Sequence, residues 1–456
     1  MVVFKSTDLR APGVGSARSL LLGWGRGARG SSRRILPLLA FAVIVACETD
    51  EPKERFTALA QSPAPAVTDA QLPSGDLGAD ELAVDLSPLF AGCPTQPVAA
   101  GDFTRAKLLN GTLACMRFQY CAFVSASQAL DEAVTVLRST PDVTNLASAR
   151  AAFRAAFELW SEIETMQFGP VAATTLDTYF GAALRDFVYA WPATSRCRVE
   201  EQLVTEGYTQ GTDLLWVSAR GLSALDYLLF YEGTDTGCAP SSDTAARFAA
   251  LSSEELALRK RAFAQALAHD LAQRAAMLAA VYASGSAFAE GFATAGAPGY
   301  GSEQEALNVV AFGLTYIDKE LKDWKLGVAT GLVLDAPSSE FEARFAGLSG
   351  RAVEANLRGF GKLYEGCGAE GEAIGFDDWL VSANHSDLDD SVQAAFQSAL
   401  TLAQALPADL GAASSSQLLA MHEAVRALAV LLKAELLGAG SPLQLMLPTT
   451  IEGDTD

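Results

Sequence analysis

The stretch RGLSALDYLLFYEG, residues 220–233, holds a carboxylate inside an otherwise apolar segment. Between Arg220 and Glu232 the only charged residue is Asp226, and Ser223 precedes it by three positions. On a helix that spacing places both side chains on one face. Glu164 presents the same conflict. Phe153, Phe157, Trp160, Glu164 and Phe168 recur at intervals of three or four, so one helical stripe carries Glu164 among aromatics. A buried carboxylate is costly unless it is paired, hydrogen-bonded, protonated or bound to a metal. Two readings follow. Each acid caps a backbone group or meets a cation, or the two are inward carboxylates of a site like those that helical-bundle cores build around metals.

The chemistry open to these residues is narrow. A zinc peptidase uses three protein ligands, an open water position and a general base, and no zincin motif is present. The only histidines are His269 beside Asp270, His385 in SANHSDLDDS and His422 beside Glu423; each reads more simply as a surface or capping residue. A serine hydrolase built on Ser223 needs a base facing it, whereas Asp226 lies one turn away on the same segment. Asp387, Asp389 and Asp390 lack the glycine and distal glutamate of an EF-hand and read as a solvated loop. There is no Rossmann glycine pattern, P-loop or Gly-x-Ser-x-Gly elbow.

The elements that position these residues are helices. Beyond about residue 103, apolar residues recur at helical spacing, alanine and leucine dominate, and β-branched alternation is scarce. FTRAKLLNGTLACMRFQYCAFVSASQALDEAVTVLRS holds one or two helices, and TNLASARAAFRAAFELWSEIETMQF another. Ser252 and Glu255 are spaced as a capping box that starts a further helix. More helices are expected at 303–326, 339–365, 389–405 and 414–436. The fold class is therefore all-α, with one helical bundle over 103–240 and a second over 241–456.

The N-terminal part has a different character. Its first 34 residues carry seven basic residues against Asp8, the uncharged run Ile35 to Ala46 follows, and Cys47 comes next. This is the order of a secretory signal, and the run is too short to span a bilayer as a helix. Ile44-Val45-Ala46-Cys47 resembles a bacterial lipobox, which implies a signal over 1–46, lipid on Cys47 and a membrane partner reached through that anchor. Residues 47–102, rich in Pro, Ala, Asp and Glu, read as an acidic tether. With the +6 leader removed from −21, the remainder carries −27, which argues against nucleic acid as a partner. Cys93, Cys115, Cys121, Cys197, Cys238 and Cys367 form an even set, as disulfides in an exported chain require. The sequence does not choose among their pairings; a Cys197–Cys238 bridge across 220–233 is the expectation.

Several pieces in order then resemble one family. Trp160 leads into Glu164-Thr165-Met166-Gln167-Phe168-Gly169-Pro170, and Trp191-Pro192 follows. Gly221-Leu222-Ser223-Ala224-Leu225-Asp226 stands where the imelysins, bacterial exported proteins first described as insulin-cleaving membrane proteases, have Gly-x-His-x-x-Glu. Asp323-Trp324-Lys325-Leu326-Gly327, Asn356-Leu357-Arg358-Gly359 and the tail Glu452-Gly453-Asp454 extend the similarity over roughly three quarters of the chain. The resemblance implies two four-helix bundles with the motif near their interface. It also implies a binding role at the interdomain cleft for a metal, with an iron link, or for a small ligand; the alternatives are a metallopeptidase or a catalytically inactive structural or interaction module. Its cofactor would be a divalent metal, iron or zinc, and Ser223 in place of the histidine puts that metal in doubt, because a neutral hydroxyl is a poor ligand. Glu164, Ser223 and Asp226 are the site candidates, with Arg261, Asp323 and Lys325 contributed by the second bundle; Lys325 could equally neutralise a buried acid. The expected location is the cell envelope, at the outer membrane facing the periplasm.

Overall fold

The computed structural model describes residues 85–93, 102–295, 299–332, 341–367, 373–438 and 440–449, all within one compact unit, Phe56–Asp456. The leader, Cys47 and Glu452-Gly453-Asp454 lie outside the described residues. The described residues are helical, in chain order α1 (Arg105–Ser139), α2 (Val143–Ile163), α3 (Arg196–Thr205), α4 (Gly221–Phe230), α5 (Asp243–Ala249), α6 (Ser253–Tyr282), α7 (Ala287–Thr294) and α8 (Glu303–Leu314). A π-helical stretch, Ile317–Val328, follows. Next come α9 (Ser349–Tyr364), α10 (Phe376–Ser382), α11 (Ser386–Gln404) and α12 (Ser415–Leu431), and a short π-turn closes the series at Leu432–Leu436. No helix among the described residues is long and apolar enough to cross a membrane.

Local signals set the helix starts. The Thr104 hydroxyl accepts from the Lys107 N–H (3.2 Å) ahead of α1, and Asp142 accepts from the Asn145 N–H (2.8 Å) ahead of α2, each satisfying one orphan donor of the first turn. The expected capping box is formed: Glu255 N–H donates to Ser252 Oγ (3.2 Å) and Ser252 N–H to Glu255 Oε2 (3.1 Å). With no proline to interrupt it, 105–139 is one helix, α1, rather than two.

Packing groups the helices into two four-helix bundles. α1, α2, α4 and α6 form the first; the stretch 317–328 with α9, α11 and α12 forms the second. α6 runs along α1, so the first bundle takes its fourth helix from beyond residue 240, where the sequence reading placed the division. Phe153, Phe157 and Trp160 are fully buried in the first bundle, as their stripe requires. The bundles meet where α9 lies along α2. Gly359 permits this approach, since a Cβ there would stand 2.1 Å from the Glu162 carbonyl oxygen. Flanking it, Arg358 pairs with Glu158 (2.6 Å), Glu162 (2.7 Å) and Glu354 (2.8 Å), and Lys362 pairs with Glu162.

Among the described residues, three disulfides pin the body. Cys197 bonds Cys238 as expected, Cys93 bonds Cys121, and Cys115 on α1 bonds Cys367 just past α9. Residues 85–93 fall within the stretch expected to be tether, yet they form a 3-10 turn, Ser87–Phe90, held by the Cys93 bridge and by Phe90 stacked on Phe118 at 4.5 Å. Loop closure ranks the bridges: Cys115–Cys367 spans 252 residues against 28 and 41. Replacing that pair with alanines should cost about 2 kcal/mol more than replacing either other pair. Urea melts of the three double variants check the order, and equal losses would refute it.

Candidate functional site

The segment around Asp226 is fixed by backbone geometry. Gly221 opens α4 at φ +67°, and a Cβ there would fall 2.2 Å from the Val188 carbonyl oxygen. The Leu222 N–H donates to that oxygen (2.8 Å). α4 then buries Asp226 among Leu225, Tyr227 and Leu228. Its carboxylate accepts from two backbone N–H groups of the segment leading into α9, Ala346 (2.8 Å) and Phe345 (3.3 Å). A side chain of the first bundle thus ties down a segment of the second. Burial pushes the Asp226 carboxyl up to about 7; the two N–H groups and Arg344 pull it back, and Glu342 adds to the rise. Ser223 Oγ is buried with no hydrogen-bond partner among the described residues, so nothing there activates it as a nucleophile.

Glu164 caps the C-terminus of α2 and is buried. Its Oε1 pairs with the Lys325 ammonium and accepts from Asn356 Nδ2 (2.9 Å). Lys325 also donates to Glu342 Oε1 (2.8 Å) and Asn356 Oδ1 (2.9 Å). One ammonium, 3 % exposed, therefore serves two buried carboxylates. Burial would raise the Glu164 carboxyl, but Lys325 and then Arg185 outweigh it and hold it below the usual carboxylate range. Glu342 goes the other way: burial pushes it up to about 7, and neighbouring Glu164 reinforces the rise against Lys325. Glu320 also rises to about 7, through burial, with Arg185 opposing. The Tyr189 phenol is driven well above its ordinary value by burial, then by Glu342 and Glu164. Glu164 Oε2 lies buried without a hydrogen-bond partner among the described residues, whereas the Tyr189 hydroxyl meets the Glu342 carboxyl and draws it down.

This cluster gathers Glu164 from α2, Asp226 from α4, Glu342 and Asn356 from the segment entering α9 and α9 itself, and Lys325 and Glu320 from the π-helical stretch. π-helical bonding runs from residue i to i+5 and is usually confined to one turn near functional sites; here it extends over twelve residues. Glu320 and Lys325, five apart, are close enough for Lys325 to pull the Glu320 carboxyl down.

Of the six sequence candidates, Glu164, Asp226 and Lys325 come together, with Ser223 one turn from Asp226 on α4. Arg261 does not join them: it lines a separate cavity at the end of the first bundle, because α6 belongs to that bundle. Asp323 is turned aside to Lys322 (2.8 Å) and Lys319 (3.4 Å). His269 meets Asp131 (3.0 Å) and Gln273 on the surface of the first bundle. His385 precedes α11, and His422 lies on α12 near Lys322 and Asp323. Asp389 accepts from Tyr364 (2.9 Å), while Asp387 and Asp390 are exposed. The sequence reading missed Glu342, Asn356, Glu320, Tyr189 and Arg185. Asn356 sat inside a matched motif; the others left no periodic signal.

The residues present do not fit a resident zinc or iron. The position between Glu164 and Glu342 that a cation would take is filled by the Lys325 ammonium, and Ser223 replaces the motif histidine. Among the described residues no group of three or more His, Cys, Asp or Glu side chains converges as a metal site requires.

Two four-helix bundles with an acidic cluster walled in near their junction define an all-α fold, which by itself names no function. The chain belongs to the imelysin family, whose model matches residues 117–435. Solved structures share the fold, among them two bacterial proteins. An imelysin-like protein from Psychrobacter arcticum 273-4 is 17% identical, with a TM-score of 0.50 over 74% of this chain and 96% of its own. A protein named as an iron-regulated protein A precursor, from Parabacteroides distasonis ATCC 8503, is 14% identical, with a TM-score of 0.53 over 75% and 96%. No curated protein matches.

Proposed function

We propose that this chain is a binding member of the imelysin family, held at the bacterial envelope by lipid on Cys47, and that it takes a small cation at the acidic cluster. The cation, a metal ion or an amine, is cargo and competes with the Lys325 ammonium for Glu164 and Glu342. The observation that carries this reading is Glu164 Oε2, a buried carboxylate oxygen without a partner among the described residues, beside one ammonium that Glu164 shares with Glu342. A buried acceptor without a donor is costly, and Asp226, Glu320 and Glu342 are held near neutrality by burial, so the cluster has charge capacity that an entering cation would use. Iron is the first ion to test, because one structural relative is named for iron regulation. The acidic body argues against nucleic acid as a partner. The peptidase alternative lacks support in the geometry, since Ser223 has no base and no three-ligand metal set forms among the described residues.

The test is elemental analysis of the purified chain for iron, zinc, copper, manganese and calcium, followed by calorimetric titration of each ion and of a primary amine. One cation should bind, and Glu164→Gln should weaken it about tenfold or more. If no cation binds the wild type, the reading fails and a structural or interaction role takes its place. Chelator-sensitive cleavage of a peptide would instead restore the peptidase.

A further inference from the structure

We propose a second, independent ligand site in the end of the first bundle, for a small carboxylate with an apolar tail. A cavity of about 450 Å³ opens there between the C-terminus of α1, the N-terminus of α2, the C-terminus of α4 and the first turns of α6. Its size falls in the range of small-molecule pockets, about 300–1,000 Å³. Val143, Leu146, Leu229 and Leu256 supply apolar wall, suited to a hydrocarbon tail.

The charges around the cavity leave one cation over. Arg150 is engaged by Glu232 Oε1 (2.7 Å) and the Leu229 carbonyl (2.8 Å). Lys260 donates to the Tyr231 carbonyl (2.7 Å) and stands over the Tyr227 and Tyr231 rings at 4.7 and 5.0 Å. Asp142 is taken by the N-terminus of α2, accepting from Asn145. Arg261 lines the cavity, and its guanidinium pairs with no acid among the described residues. The guanidinium fork matches a carboxylate in two parallel bonds. Head group and tail are thus specified by neighbouring features: Arg261 for the carboxylate, the leucine wall for the chain. An ammonium is disfavoured, because three cations (Arg150, Lys260 and Arg261) line the cavity against two acids, and of those acids Glu232 is held by Arg150 and Asp142 by Asn145.

Titration calorimetry of the whole chain with octanoate, octanol and octylammonium tests the proposal. Octanoate should bind about tenfold tighter than octanol, and octylammonium should not bind. Arg261→Met should bring octanoate down to the octanol level, and Ala257→Trp, which fills the cavity, should abolish both. Octanoate that fails to bind, that binds no better than octanol, or that binds Arg261→Met as tightly as wild type overturns the site. If Ala257→Trp does not fold, Arg261→Met decides alone.

Discussion

Lys325→Met should lower the unfolding free energy by about 3–5 kcal/mol, the cost of leaving buried charge without its partner. Lys325 is 3 % exposed and bonds Glu164, Glu342 and Asn356 at once. Removing it strands two carboxylates in a place that water does not reach. The pair itself is not a large net gain over an apolar core, so the loss should be reversible by chemistry that removes the stranded charge. Lys325→Met combined with Glu164→Gln and Glu342→Gln should recover much of it. The pH dependence separates this from simple misfolding. Glu164 is held below its ordinary value by Lys325 and Arg185 against burial, so its contribution is present above the unfolded carboxylate pKa and is lost as pH falls through the lower, folded value. In Lys325→Met that support is gone and burial dominates, which raises both carboxyls; the variant should therefore regain stability relative to wild type on acidification. Urea melts at pH 4.5 and 7.5 check both parts. A loss under about 1 kcal/mol at pH 7.5 would mean that the ammonium is solvated and the cluster is open.

How much of this was readable depends on what each residue violates. Glu164 and Asp226 announced themselves because each breaks an apolar stripe or segment, and a broken stripe is visible in one helix alone. The helices themselves were legible for the same reason, and the Ser252–Glu255 box fixed one of their starts. Glu342 breaks nothing. The helix expected over 339–365 begins only at Ser349, so Glu342 lies in the irregular segment before it and reaches Lys325 through the tertiary fold alone. Arg261 was assigned to the wrong place because periodicity tells which face a residue is on, not which bundle its helix joins. That choice is made by long-range packing of α6 against α1, and consecutive helices carry no local mark of it. The anchoring of residues 85–93 was hidden likewise: a Pro- and acid-rich composition reads as tether, and the Cys93–Cys121 bond that overrides it is a pairing the sequence does not specify.

Asp226→Ala should cost about 3 kcal/mol or more, since it strands the Ala346 and Phe345 N–H groups, each worth about 1–3 kcal/mol when left unpaired in the interior. Asp226→Asn should cost less, because the amide oxygen still accepts one of them, the closer being Ala346 at 2.8 Å. The acid form of Asp226 adds a pH signature with a definite sign. Burial raises its folded value to about 7, above the unfolded value, so the stability linked to it is fully present at low pH and drains away as pH rises towards and through 7. Glu320 and Glu342, also near 7, act in the same direction. The melting temperature of the wild type should therefore fall between pH 5 and 8, and Asp226→Asn, which does not titrate, should flatten that fall. A melting profile equally steep in Asp226→Asn would place the titration elsewhere. The two roles open to Asp226 exclude each other here. A carboxylate whose oxygens already hold two backbone N–H groups across the bundle junction serves as a clamp, and a cation could claim it only by releasing the segment that leads into α9. If cation binding survives in Asp226→Asn while the pH slope changes, Asp226 is the clamp and Glu164 with Glu342 the ligand pair; if binding is lost with the fold intact, the clamp is itself the part that opens.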